Sequence, residues 1–161
     1  MPREWYSDEG WSDYPNLDEG RWLLNTRRSL AGRKGQAILR EVREALLAMP
    51  MLERRLIKGG LVKDGEACLV GAWAKYRLGR DGELPEHRRS LDFWAGWLAE
   101  IERDGDGGDT RDTVDLAQAL GANQYLATLL GAENDDAHFM TPEQRWQWML
   151  EWVESQLVVT P

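Results

Sequence analysis

A chain of 161 residues with 42% hydrophobic content is sized for one ordinary domain, long enough to bury a core without disulfides or a structural metal. The single cysteine, Cys68, excludes an intrachain disulfide and a multi-cysteine zinc site, and no run approaches the roughly 18 apolar residues of a membrane span. The net charge of −8 argues against general coating of nucleic acid, yet it is split by position: residues 21–63 hold eleven Lys or Arg against three acids, while residues 1–20 and 64–161 sum to −5 and −11.

In chain order, residues 1–20 mix Trp5, Tyr6, Trp11 and Tyr14 with six acids and have no regular period, which predicts an acidic, aromatic N-terminal arm ahead of a single domain over 21–161. The start lacks the basic and apolar regions of a secretory signal, so a cytoplasmic location is expected. From Gln36 the pattern is helical, with Ile38, Val42, Ala45, Leu46 and Met49 on one face and Pro50 as the stop. Asp64-Gly65 between two short apolar runs favours a small β-hairpin near 61–70, with a joint between two helices as the alternative. Residues 72–76 return to helix. Ser90 reads as the N-cap of a helix whose stripe is Leu91, Trp94, Ala95, Leu98 and Ile101. Residues 104–109 read as a flexible acidic, glycine-rich loop. Two short helices are predicted around Val114–Leu120 and Tyr125–Leu130. Thr141-Pro142-Glu143-Gln144 supplies a cap, a proline at the first helical position and a capping-box glutamine for the last helix. The expectation is therefore a mainly α fold, a single helical domain of about five to seven helices with room for one small hairpin.

Chemistry-bearing residues are sparse. Gly32-Arg33-Lys34-Gly35 precedes a helix, where glycine backbone can approach an anion that the two cations neutralise; Arg40 and its neighbours Arg27, Arg28 and Arg43 would extend the patch. The alternative is a helix corner with solvated cations. Ala31–Ile38 resembles the Gly-x-x-Gly loop of KH domains, which clamps a nucleic-acid backbone, although no strand upstream of Trp22 supplies the sheet of that family. In the last helix Trp146, Met149, Leu150, Val153 and Leu157 form the core stripe, and Trp148 and Trp152 fall about 200–240° away from Trp146. Phe93 and Trp97 stand off their own stripe in the same way. These four aromatics either bury a second helix face or form a partner or homodimer surface.

Ala117–Asn123 resembles the turn of helix-turn-helix proteins, but a recognition helix from Asn123 to Leu130 would carry no Lys or Arg, which favours a packed helical hairpin. Asp104, Asp106, Asp109 and Asp115 miss the spacing of a calcium loop, and Asn134 to His138 is an ordinary polar stretch, so no metal and no cofactor are expected. With only His87 and His138 as imidazole bases and no Gly-x-Ser-x-Gly, no catalytic residues are assigned and a non-enzymatic protein is expected.

The order Gly32-Arg33-Lys34-Gly35-Gln36, Met49-Pro50, Arg55-Leu56-Ile57, Asp64–Cys68, Gly71-Ala72, Ala119-Leu120-Gly121, Asn134-Asp135 and Thr141–Trp146 resembles a group of small phage and prophage proteins. That resemblance implies an origin and, through it, an expectation of function: an accessory protein that binds a host protein or nucleoprotein complex, as an inhibitor or modulator of a defence or regulatory assembly. Direct nucleic-acid binding through Gly32–Gly35 is the alternative. No membrane partner is expected.

Overall fold

Ile38, Leu39, Val42, Ala45 and Leu46 recur at intervals of three and four residues, so a helix through them has one apolar face and must bury it. In the computed structural model, which describes residues 17–63, 65–81, 83–84, 89–90, 96, 98, 100, 110–136 and 140–158, this helix is the central element of a mainly helical fold. Six α-helices account for most of the described residues: α1 (Leu17–Ala31), α2 (Arg33–Ala48), α3 (Leu69–Asp81), α4 (Thr110–Ala119), α5 (Gln124–Asp135) and α6 (Pro142–Gln156).

The boundary expected at residue 20 lies inside α1, which begins at Leu17. No clean apolar stripe marks this helix, and it is held from across the chain: the Trp22 ring meets Tyr125 edge to face at 4.8 Å, and Asn25 donates to the Tyr125 hydroxyl at 3.2 Å. A short helix depends on such tertiary contacts more than on its own propensity. One residue, Gly32, separates α1 from α2, so α2 starts at Arg33 rather than Gln36. It ends as expected before Pro50, where Met49 is already extended at φ −65°, ψ 131°.

A single 3₁₀ turn, Met51–Glu53, leads to the hairpin of β1 (Val62–Lys63) and β2 (Glu66–Ala67), with Val62 opposite Ala67 and Lys63 opposite Glu66. Gly65, at φ +81°, takes the left-handed position that this two-residue turn requires. A second antiparallel pair, β3 (Glu83–Leu84) with β4 (Arg89–Ser90), was not anticipated; Ser90, expected as a helix cap, sits in the strand position opposite Glu83. The capping box of α6 is formed as read: the Thr141 hydroxyl accepts from Gln144 N–H at 3.2 Å and the Gln144 side chain from Thr141 N–H at 2.9 Å.

Leu39, Leu46, Leu56, Leu61, Leu69, Trp73, Leu116, Leu126, Leu130 and Met149 are fully buried in one core. Buried polar groups tie its edges. Gln36 donates to the C-terminal carbonyls of two helices, Leu30 of α1 at 2.7 Å and Gln156 of α6 at 3.0 Å, while its side-chain oxygen accepts from Val158 N–H at 2.8 Å. Asn134 accepts from Leu69 N–H at 3.1 Å and donates to Ile57 C=O at 2.9 Å, fixing the hairpin between α3 and α5. No helix among the described residues is long and apolar enough to cross a membrane.

Candidate anion-binding face

From residue 20 to residue 40 the chain contains six Lys or Arg and no acid. Helical geometry puts Gly20, Arg21, Leu24, Arg27, Arg28 and Ala31 on one arc of α1, and all six are exposed. On α2, Arg33, Ala37 and Arg40 share the outer face, with Arg33 and Arg40 two turns apart, about 10 Å along the axis. The guanidinium groups of Arg21, Arg27, Arg28, Arg33 and Arg40 make no ion pair or hydrogen bond among the described residues.

The rest of the basic stretch is used differently. Arg43 pairs with Glu154 at 2.9 Å; Arg54 donates to the Met49 and Leu47 carbonyls at the end of α2 and lies 4.8 Å over the Trp146 ring; Arg55 bridges Glu66 at 2.8 Å and Glu143 at 3.1 Å. Arg43, expected to extend the patch, is thus a packing contact between α2 and α6. Among the described arginines of this stretch, those without a partner all lie in its first half.

Gly32, Arg33, Lys34 and Gly35 come together with Asn25, Arg28 and Ser29 at a cleft of about 410 Å³, whose far wall is Gly121, Asn123, Tyr125 and Leu126. Its chemistry is not that of a glycine loop. Gly32 has an ordinary φ of −69° and its N–H already donates to Arg28 C=O at 2.9 Å. Gly35 is buried, and a Cβ there would lie 1.7 Å from the Ser29 carbonyl oxygen. Its missing side chain serves the crossing of α1 and α2, and Gly35 lies inside α2, which begins at Arg33. What survives is the first turn of α2, whose N–H groups precede the first helical hydrogen bond from Gln36 N–H to Gly32 C=O at 2.9 Å, with no acid in that turn and Arg33 and Lys34 beside it. Asn123, the N-cap of α5, accepts from Leu126 N–H at 2.9 Å and donates to the Ser29 hydroxyl at 2.8 Å, locking the far wall to α1.

Of the four off-stripe aromatics, which either bury a second helix face or form a partner surface, Trp148 and Trp152 lie among the described residues. Trp152 is 9% exposed and belongs to the core, and Trp148 packs partly buried against it, because α6 lies between α2 and α5 and buries more than one face. Phe93 and Trp97, like the arm residues 1–16, His87, His138 and the loop 104–109, lie outside the described residues. The segment over Ala117–Leu130 forms the packed hairpin α4–α5, with Ala127 and Leu130 fully buried.

Cys68 is buried, accepts from Gly71 N–H at 3.4 Å, and burial pushes its thiol up to about 11. A thiol in that state is neither nucleophile nor metal ligand near neutral pH. No group of three or more His, Cys, Asp or Glu among the described residues is arranged to hold a metal. The sequence places Arg28 and Arg40 in the basic patch but does not join Asn25, Asn123 or Tyr125 to it, since the contacts that do so span 100 and 94 positions.

No family model matches the chain, and neither a curated protein nor a solved structure matches it.

Proposed function

We propose that this is a non-catalytic binding protein whose working surface is the arginine-bearing outer face of α1 and α2, and that this face meets the phosphate backbone of a nucleic acid, free or within a nucleoprotein complex. The observation that carries the reading is the set of five exposed guanidinium groups, Arg21, Arg27, Arg28, Arg33 and Arg40, without partners among the described residues while neighbouring arginines are consumed by packing. Arginine forks match phosphate oxygens in geometry and charge. The acidic remainder of the chain confines the contact to this one face and disfavours wrapping. Taken with the resemblance to phage and prophage proteins, the target is a host nucleoprotein assembly, which such a protein would inhibit or modulate by covering its nucleic-acid backbone.

Titration of labelled single- and double-stranded oligonucleotides by fluorescence anisotropy tests this. Binding should weaken with salt at a log–log slope of about −3 to −4 on duplex, as three or four phosphate contacts give. The triple variant Arg28→Glu, Arg33→Glu, Arg40→Glu should abolish it, whereas Arg43→Glu, which breaks only the Glu154 pair, should leave it close to wild type. Absence of binding at low salt, or binding that the triple variant retains, refutes the proposal.

A further inference from the structure

Among the described residues, the two most exposed large apolar side chains, Met51 and Leu52, are neighbours in the chain. Met51 and Leu52, on the 3₁₀ turn, are 77% and 95% exposed, and Leu47, one residue before the end of α2, is 36% exposed. Beside them is a groove of about 610 Å³ between α2, the β1–β2 hairpin and α3. Its walls are cut by small residues, Ala45 and Ala48 from α2, Ala67 from β2 and Ala72 from α3, so it has depth without filling side chains. Leu52 stands at its rim. A protruding leucine next to an alanine-lined hollow is a knob and a hole on one surface.

The charges on the same groove indicate what enters it. Glu53 and Lys75 both line it, both are exposed, and neither side chain is paired among the described residues. By contrast Arg55 and Glu66 within the groove satisfy each other at 2.8 Å. One unpaired acid, one unpaired base, one knob and one hole are the complement a surface needs to meet itself across a two-fold axis, where every contact occurs twice with the roles exchanged.

We infer that this groove is occupied by a second copy of the chain: Leu52 of each protomer enters the alanine-lined groove of the other, and Glu53 of one protomer faces Lys75 of the partner subunit. The dimer so formed leaves the outer face of α1 and the first half of α2 uncovered, so it is independent of nucleic-acid binding.

Sedimentation velocity across a dilution series tests the pairing. The wild-type protein should show a monomer–dimer equilibrium, and Leu52→Asp should weaken it at least about tenfold, since a buried leucine is replaced by a charge. Leu52 is solvent-exposed in the protomer, so circular dichroism and melting of the dilute variant should match wild type. Lys75→Glu and Glu53→Lys should each weaken association, and the double variant should recover it, because the exchange restores opposite charges across the axis. A monomer throughout the series, a dimer untouched by Leu52→Asp, or a double variant no tighter than the single ones overturns the inference.

Discussion

Replacing Gly35 by alanine separates the two meanings of the Gly32–Gly35 segment. The added methyl would stand 1.7 Å from Ser29 O and 2.9 Å from Ser29 C, both backbone atoms that no rotamer change can move. Relief requires α1 and α2 to part by roughly 1.5–2 Å at their crossing, given ordinary carbon contacts near 3.5 Å. Overpacking of this kind costs about 1–3 kcal/mol. The same movement stretches the bond that Gln36 donates to Leu30 of α1 at 2.7 Å, which contributes about 1 kcal/mol. Against this, alanine gains about 1 kcal/mol of helix propensity over glycine. The expected net loss is about 1–3 kcal/mol, or roughly 2–12 °C in Tm for a chain of this length. Urea denaturation and calorimetry measure it, with Gly32→Ala as the control: its Cβ would lie 3.1 Å from Arg28 O at an ordinary φ, so its cost should stay within about 1 kcal/mol. A Gly35→Ala protein as stable as wild type, or more stable, refutes the close crossing. If stability is kept while oligonucleotide binding falls, the glycine serves a ligand instead.

Glu41 accepts from Trp73 Nε1 at 2.9 Å, pairs closely with Arg77 and lies 3.7 Å from Arg80; the Arg77 side chain is only 7% exposed. Glu41→Ala should therefore cost about 3 kcal/mol in urea unfolding, because a buried guanidinium loses its carboxylate, whereas Tyr76→Phe, which removes an exposed bond to Glu44, should stay within about 0.5 kcal/mol. The Cys68 thiol should resist a disulfide reagent near about pH 8 in the folded protein and react once urea unfolds it. Because its folded pKa is raised from 9.0 to about 11, the thiolate favours the unfolded chain, so stability is complete below pH 9 and falls as pH rises towards 11, by about 2–3 kcal/mol from this group. Cys68→Ala should lack that fall; an unchanged pH profile in the variant contradicts the assignment.

Features whose cause is local were legible beforehand. The capping box at Thr141 and Gln144 lies within four residues, the stripe of α2 repeats within its own sixteen, and the turn signal Asp64-Gly65 is two adjacent residues. The helix α1 was not legible, because its stabilising ring contact and hydrogen bond come from Tyr125. The second strand pair escaped because two-residue strands have no period to detect.

The sequence by itself determined a mainly helical domain with a positive stretch at 21–63 inside an acidic chain, since apolar spacing and charge position are properties of the sequence. Which of those charges remain open to a partner was decided by tertiary structure. Arg43 meets Glu154 across 111 positions and is spent on packing, while Arg33 and Arg40, identical in chemistry, face outward with no such acid opposite them among the described residues. Trp152 went into the core by the same logic, because a helix packed between neighbours buries sides that its own periodicity marks as solvent.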